Sequence, residues 1–432
     1  MNLQGKRINI LGAGRSGRAA TALARRDGAE VHVFDQRDQI DDLEAGVTGH
    51  TQADASSAES CDMLILSPGV DTYGEFARAF SALAGETLGE VEFGCRHYPG
   101  QIIAVTGTNG KTTTIELIEH LLKRAGEHVV ACGNYGLPVC EVVMSGNVPD
   151  ILALEVSSFQ LETIVHFRPK VAIWLNFSAD HMDRYPDIES YRKAKWRIFE
   201  NQQATDMAVV RAGESLPRLP GRVIRFSTDD RQADWFSDGS RIFANEDEVI
   251  DLPRQSHLPG LHNAENAMAA LAGCEALGAD RKSLIAGFAD YAPPRHRCEL
   301  VRTLDGVEWL NDSKATNLHA LECALRSQTR PVVLIVGGKE KGLDYKPLIP
   351  TLKKHAIGVV TFGEIGPVLS ALVSPHVTTQ SVGTIEQAVT AAASMATSGS
   401  TVLMSPGTSS FDQFTGYEER GDTFCKLVLN LN

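Results

Sequence analysis

The segment Ile102-Ile103-Ala104-Val105-Thr106-Gly107-Thr108-Asn109-Gly110-Lys111-Thr112-Thr113-Thr114 constrains the fold of this chain more than any other stretch. A short apolar run reads as a buried strand and a glycine loop follows it. Ile115, Ile118, Leu122 and Ala125 then recur at helical spacing. Strand, loop and helix in this order form the setting of a phosphate cradle. Gly107 and Gly110 let backbone N–H groups approach an anion, with Thr108 and Asn109 between them and Thr113 in the first helical turn. The helix start favours negative charge, Lys111 adds a cation, and the Thr112 hydroxyl can hold Mg²⁺. The usual pattern G-x-x-x-x-G-K-[ST] is not met in full, since its first glycine falls at Val105. An ordinary Asn-Gly turn before a helix would need neither the Lys-Thr pair nor the preceding strand. The segment predicts a bound nucleoside triphosphate.

A chain of 432 residues is too long for one typical domain, and two or three are expected. Its 43% hydrophobic and 22% charged residues are those of an ordinary globular protein. A formal net charge of −13 with no basic cluster argues against a nucleic-acid partner. No apolar run approaches membrane-spanning length, and the N-terminus lacks the apolar core of a signal peptide. The cysteines (61, 95, 132, 140, 274, 298, 323, 425) are scattered without a C-x-x-C pair, which fits reduced cytoplasmic thiols rather than a disulfide framework or a zinc site.

The fold class expected is α/β, with three consecutive domains over residues 1–94, 95–293 and 294–432. Each is a mainly parallel doubly wound sheet: Rossmann-like, phosphate-loop ATPase-like, and Rossmann-like again. The first opens with a strand over Ile8–Leu11, the turn Gly12-Ala13-Gly14-Arg15-Ser16-Gly17, a helix, and a strand Glu30–Phe34 ending at Asp35. Alone, this would suggest a dinucleotide with Asp35 on a ribose, although the same unit serves other ligands. A third strand, Met63–Leu66, runs into Ser67-Pro68-Gly69.

In the middle segment Ile151–Leu154 ends at Glu155, and Val171–Leu175 leads to Asn176 and then Asp180-His181. Parallel sheets bind ligands beyond the carboxyl ends of their strands, so Lys111, Thr112, Glu155 and His181 are expected to converge on a Mg²⁺–nucleotide site. In the helix expected over 187–201, Ile188, Tyr191 and Ile198 define one face. Lys195 falls on it and Lys193 does not. An inward lysine either packs its stem and snorkels its amine outward, or stays buried, partly neutral and nucleophilic.

The last segment begins at a hinge expected at Pro293-Pro294. Its strands Val307–Leu310, Val332–Val336 and Thr401–Met404 are followed by Asn311-Asp312-Ser313-Lys314-Ala315-Thr316-Asn317, by Gly337-Gly338-Lys339-Glu340-Lys341-Gly342, and by Ser405-Pro406-Gly407-Thr408-Ser409-Ser410. Lysines and hydroxyls at these strand ends suit an anionic small molecule. Lacking a phosphate loop, this domain is expected to close over the nucleotide of the middle one.

Over essentially its whole length the chain resembles the Mur ligases, and among them the D-glutamate-adding members. The resemblance rests on Thr106-Gly-Thr-Asn-Gly-Lys-Thr112, Gly133-Asn-Tyr-Gly-Leu-Pro138, Leu154-Glu-Val-Ser-Ser-Phe-Gln-Leu-Glu162 and Asp180-His-Met-Asp-Arg-Tyr185. It continues through Gly260-Leu-His-Asn263, His296-Arg297, the 311–317 string and Ser410-Phe-Asp-Gln-Phe414. Folylpolyglutamate synthetases share the phosphate loop and are the nearest alternative, with other Mur ligases.

The resemblance implies an ATP-dependent amide ligase of peptidoglycan precursor synthesis. It would be a cytoplasmic monomer joining D-glutamate to UDP-N-acetylmuramoyl-L-alanine through an acyl phosphate. It implies that Arg15, Ser16, Gln36 and Arg37 hold the UDP end, and that Asn134, Ser157, Gln160 and His181 contact the substrate as it crosses the middle domain. Lys111 and Thr112 would hold ATP and metal, Glu155 one Mg²⁺, and His181 with a carbamylated Lys195 a second Mg²⁺. Asn266 would read adenine, Arg297 the phosphates and Asp312 the ribose, while Lys314, Thr316, Lys341, Ser410 and Tyr417 surround D-glutamate. Tyr417 stands where the family favours Phe, and Glu340 where Asp is common. A nicotinamide-dependent dehydrogenase would leave Lys111, Glu155 and His181 without a task. A nucleotide-dependent switch would not need the full set of polar positions for amide formation.

Overall fold

The computed structural model describes all residues except 41–42, 183, 256–260, 292–294, 343 and 432. The expected hinge at Pro293-Pro294, with Asp183 and Gly260 of the family strings, lies outside the described residues. Three sheets account for the strands. The first contains β1 (Arg7–Leu11), β2 (Glu30–Phe34), β3 (Thr48–His50), β4 (Cys61–Leu66) and β5 (Ala84–Gly89), in the order β3-β2-β1-β4-β5. All its neighbours pair in parallel. The order reverses beside β1, which puts the Gly12–Gly17 loop at a topological switch point.

The second sheet is built from β6 (Gln101–Thr106), β7 (Val129–Gly133), β8 (Ile151–Glu155), β9 (Val171–Trp174), β10 (Met207–Arg211), β11 (Arg222–Ser227), β12 (Trp235–Ser237), β13 (Arg241–Ala244) and β14 (Asp247–Asp251). Its order is β14-β13-β12-β11-β10-β9-β6-β8-β7. β6 lies between β8 and β9, with Val105 opposite Glu155 and Thr106 opposite Trp174. The loop leaving β6 therefore emerges between Glu155 and the segment that leads to His181. β8 and β9 are buried along their whole length, as strands covered on both faces must be, so they read as continuous apolar runs without alternation. The meander β12–β14 pairs antiparallel. It was not expected from the sequence. The hairpin joining β13 to β14 turns on Asn245 and Glu246, with φ of 49° and 73°, where a glycine would have been the usual signal.

The third sheet comprises β15 (Glu299–Leu304), β16 (Val307–Asn311), β17 (Val332–Gly337), β18 (Ala356–Phe362), β19 (Thr379–Ser381) and β20 (Thr401–Met404), in the order β15-β16-β20-β17-β18-β19. Only β15 pairs antiparallel. Its two faces carry separate apolar layers, one around Trp309, Ile335 and Phe424, the other around Leu334, Leu352 and Leu403.

Three sheets make two compact units. One comprises residues 1–256 and 263–291, the other 257–262 and 292–432. The first two sheets fall in one unit because they share a core. Ile8, Val33 and Leu88 from the first belong to the same apolar cluster as Cys132, Leu152 and Trp174 from the second. A domain near the lower size limit buries too small a fraction of its surface alone, and that shared cluster offsets the deficit. Among the described residues no helix is long and apolar enough to cross a membrane.

Candidate active site

The loop leaving β6 starts the helix Lys111–Arg124 from Gly110, whose φ of 85° lies in the left-handed region. A Cβ there would stand 2.4 Å from Asn266 Oδ1, so only glycine fits both the turn and the space. The cap residue Gly110 has no side chain to accept from the first N–H groups, which suits a helix start that meets an anion. Lys111 Nζ donates to the Gly107 carbonyl at 2.9 Å and the Thr108 carbonyl at 3.0 Å, folding the amine back over the loop. Thr112 and Thr113 are buried.

Lys195 reaches the same carbonyl, donating from Nζ to Gly107 O at 2.9 Å. It is 2% exposed, and its amine lies 4.9 Å from the centre of the Tyr191 ring. Burial, and then the charge of Lys111, push its pKa well below the ordinary lysine value, opposed by Asp180 and Glu155. Lys193 is exposed. The helix carrying them runs Ile188–Trp196, begun by Asp187 accepting from Ser190 N at 2.7 Å, and it is shorter than expected because a 3₁₀ turn takes over at Arg197–Phe199. The inward face consists of Tyr191, Ala194 and Lys195, with Ile198 following. Ile188, expected on that face, is 40% exposed in the first helical turn.

Glu155 is buried at the end of β8. Its Oε1 accepts from Asn134 Nδ2 at 2.7 Å, while its buried Oε2 has no partner among the described residues. A lone carboxylate oxygen without a partner is the kind of group a cation satisfies. His181 has a φ of 56°, and its backbone N–H donates to Asp180 Oδ1 at 2.9 Å. Its ring stands edge-on to Phe159 and Tyr191, at centroid distances of 4.9 and 5.8 Å. Among the described residues no three His, Cys, Asp or Glu side chains are grouped to hold a metal ion by themselves. The donor set nonetheless fits Mg²⁺, which is commonly bound by one or two carboxylates together with substrate phosphates and water.

In the first sheet the helix Arg15–Arg26 packs against its own loop, so closely that a Cβ on Gly17 would lie 1.8 Å from Gly12 O. Asp35 does not present a free carboxylate to a ribose. It accepts from Ala13 N at 2.7 Å and from Arg37 Nε and Nη2 at 2.9 and 2.8 Å. The Arg37 guanidinium holds its pKa well below the usual carboxylate range. The dinucleotide reading loses its acidic residue to this contact. Gln36 and Arg37 are exposed, and Arg15 Nη1 donates to Gly136 O at 3.1 Å across to the second sheet.

A cleft between these two sheets is lined by Ser67, Pro68, Thr72, Phe159, Gln160 and Thr163, among others. Gln160 and Ser157 form a capping box, with Ser157 N donating to Gln160 Oε1 at 3.0 Å and Gln160 N to Ser157 Oγ at 3.3 Å. Their first task is therefore to start the short helix Ser158–Leu161. Arg184 was not singled out from the sequence. It donates to Val70 O at 3.2 Å and to Glu162 Oε2 at 2.9 Å, with its guanidinium 3.9 Å from the Phe159 ring centre. An arginine inside the 180–185 string was the available signal.

Asn266 lies behind the phosphate loop, 5% exposed, and Thr114 Oγ1 donates to its Oδ1 at 3.3 Å. That arrangement supports the loop and does not by itself offer the amide to a base.

In the other compact unit, β16, β17 and β20 end beside one another, and their loops carry the remaining candidates. Asp312 turns inward. Its Oδ1 accepts from Cys298 N at 3.2 Å and its Oδ2 from Ser405 Oγ at 2.7 Å, and burial pushes its pKa up to about 7. Both oxygens are thus engaged, which leaves the expected ribose contact without support in this arrangement. Arg297 is half-buried, with its Nε sealed and without a partner among the described residues. Lys314 Nζ stands 5.2 Å from the Tyr417 ring centre, Lys341 Nζ donates to Thr316 O at 3.4 Å, and Ser410 is buried. Arg420, also missed from the sequence, is fully buried and binds Ser313 Oγ, Ser313 O and Thr408 O. It locks two of the three loops together.

A glycine loop with two lysines on one of its carbonyls, at the end of a central parallel strand, is the arrangement expected of a nucleotide-binding α/β protein. The family model of the Mur ligase middle domain matches residues 105–274, and that of the Mur ligase glutamate ligase domain residues 296–407. The UDP-N-acetylmuramoylalanine–D-glutamate ligase of Geobacter metallireducens is 37% identical over 99% of this chain and 98% of its own length. That of Nitratidesulfovibrio vulgaris is 38% identical over 98% and 96%. In fold, the chain is similar to the crystal structure of the UDP-N-acetylmuramate–alanine ligase MurC from Thermotoga maritima, with a TM-score of 0.62, 19% identity, and 98% and 99% of the two chains covered. The chain belongs to the Mur ligase family, in the branch of the UDP-N-acetylmuramoylalanine–D-glutamate ligases.

Proposed function

We propose that this chain joins D-glutamate to UDP-N-acetylmuramoyl-L-alanine with ATP, through an acyl phosphate, in the cytoplasmic assembly of the peptidoglycan precursor, acting as a monomer. The observation that carries the reading is the meeting of Lys111 and Lys195 on the Gly107 carbonyl, beside a Glu155 oxygen with no partner among the described residues. In a ligand-filled loop the Lys111 amine would exchange its two carbonyl bonds for phosphate oxygens. The substrate carboxylate would attack the γ-phosphorus in line, forming the C–O–P linkage and releasing ADP. The D-glutamate amine would then attack the acyl carbon, losing a proton and expelling phosphate. Water must be kept out of this sequence, because the acyl phosphate hydrolyses.

Thr112 and Glu155 would hold one Mg²⁺, and His181 with Lys195 a second. When bound, such ions neutralise charge on the transferring phosphoryl group. Burial lowers the pKa of Lys195 and so favours its neutral amine, the form that can add CO₂ and lose a proton to give a carbamate oxygen. Arg15, Ser16, Gln36 and Arg37 would hold the UDP end, with Asn134, Ser157, Gln160 and His181 along the cleft. Asn266 and Arg297 would serve the nucleotide, Asn266 by holding the loop. Asp312 would act by fixing the loop that carries Lys314.

Lys314, Thr316, Lys341, Ser410 and Tyr417 would surround the two carboxylates of D-glutamate. Losing one charged partner of a carboxylate desolvated by binding costs about 2 kcal/mol or more, roughly 30-fold. Lys341→Ala should therefore raise the D-glutamate KM by that factor while leaving the ATP KM within about threefold. Steady-state ADP release with each substrate varied in turn measures both. ADP release that needs no D-glutamate, or a Lys341→Ala effect confined to ATP, would overturn the assignment.

A further inference from the structure

The exit of β9 holds the phosphate loop by its backbone. Thr108 N donates to Asn176 O at 3.0 Å. Asn109 N donates to Asn176 Oδ1 at 2.9 Å, and Asn176 Nδ2 donates back to Asn109 O at 3.2 Å. Two residues on, Ser178 N donates to Thr108 Oγ1 at 3.0 Å, and that hydroxyl reaches Ser178 O at 3.2 Å. A side-chain amide offers the same donor and acceptor pair as a peptide unit. Asn176 therefore pairs with Asn109 as another strand residue would, after the loop has left the sheet. Neither Gly107 nor Gly110 can hold its own conformation by side-chain packing, and Gly107 has a φ of 155°. Something outside the loop has to fix it.

We propose that Asn176 is a positioning residue for nucleotide binding, splinting Thr108 and Asn109 so that the loop is shaped before the ligand arrives. This rests on reading the loop as a nucleotide cradle. Preorganisation of this kind saves the ordering that binding would otherwise require, so its loss appears as weaker nucleotide affinity. Only an amide supplies both bonds at neutral pH. In Asn176→Asp the ionised carboxylate keeps the acceptor for Asn109 N–H but turns a second acceptor on Asn109 O. The Asp variant therefore keeps one of the two bonds and loses the other.

The test uses the full chain, titrated calorimetrically with ADP at about pH 8 beside the wild type. Asn176→Ala and Asn176→Asp should each bind ADP about tenfold more weakly, with the KM of the UDP-linked substrate within about twofold. A loss below about threefold for both variants would overturn the splint, as would an equal rise in the KM of the UDP-linked substrate. If the Ala variant does not fold, the Asp variant decides alone. Wild-type chain that binds ADP without ligating D-glutamate would remove the proposed reaction and leave the splint standing. Normal ligation with normal ADP binding by both variants would do the reverse.

Discussion

Lys111→Ala should lower the rate of ADP release about 10³-fold at saturating substrates, because its ammonium neutralises charge that develops on the transferring phosphoryl group. In the structure the amine is held over the loop by the Gly107 and Thr108 carbonyls. ADP binding should weaken far less than turnover, since the transition state gains more from the charge than the ground state does. Near-normal ligation by this variant would remove the phosphate-loop assignment.

Lys195→Ala should lower turnover at least about 10²-fold, whereas Lys193→Ala should stay within about twofold of wild type. The two lysines project from different faces of one helix, Lys195 toward Gly107 and Lys193 toward solvent. If the working form of Lys195 is a carbamate, added formate or acetate should restore part of the activity of Lys195→Ala by supplying an oxygen ligand, and should do nothing for Lys111→Ala. Equal damage from the two helix variants, measured as ADP release, would contradict the difference in burial.

The strands that carry the site were legible because each is a continuous apolar run closed by a polar residue or glycine, as in β6, β8 and β17. Lys195 was legible as an inward residue for a related reason: it lies four residues after Tyr191, one helical turn along the same face. Which way a polar side chain turns was not. Asp312 and Asn266 stand where the family strings put them, yet the first bonds to Cys298 and Ser405 and the second backs the loop. Those choices depend on partners far apart in sequence. Asn176 stood out at a strand end, but its bond to the loop was hidden for the same reason, as it exists only once β9 lies beside β6. The joint core of the first two sheets was equally hidden, because an apolar strand does not reveal which sheet will cover it.

The most direct test of the proposed reaction offers D-glutamate, L-glutamate, L-alanine and meso-diaminopimelate separately to the chain with UDP-N-acetylmuramoyl-L-alanine, ATP and Mg²⁺, and follows ADP release together with formation of the new amide. Two lysines and two hydroxyls at the strand ends of the C-terminal unit suit a second carboxylate. D-glutamate should therefore be turned over with a kcat/KM at least about 10²-fold above each of the others. Faster ligation of L-alanine or diaminopimelate would contradict the assignment of D-glutamate, and no amide with any of the four would contradict the ligase reaction itself.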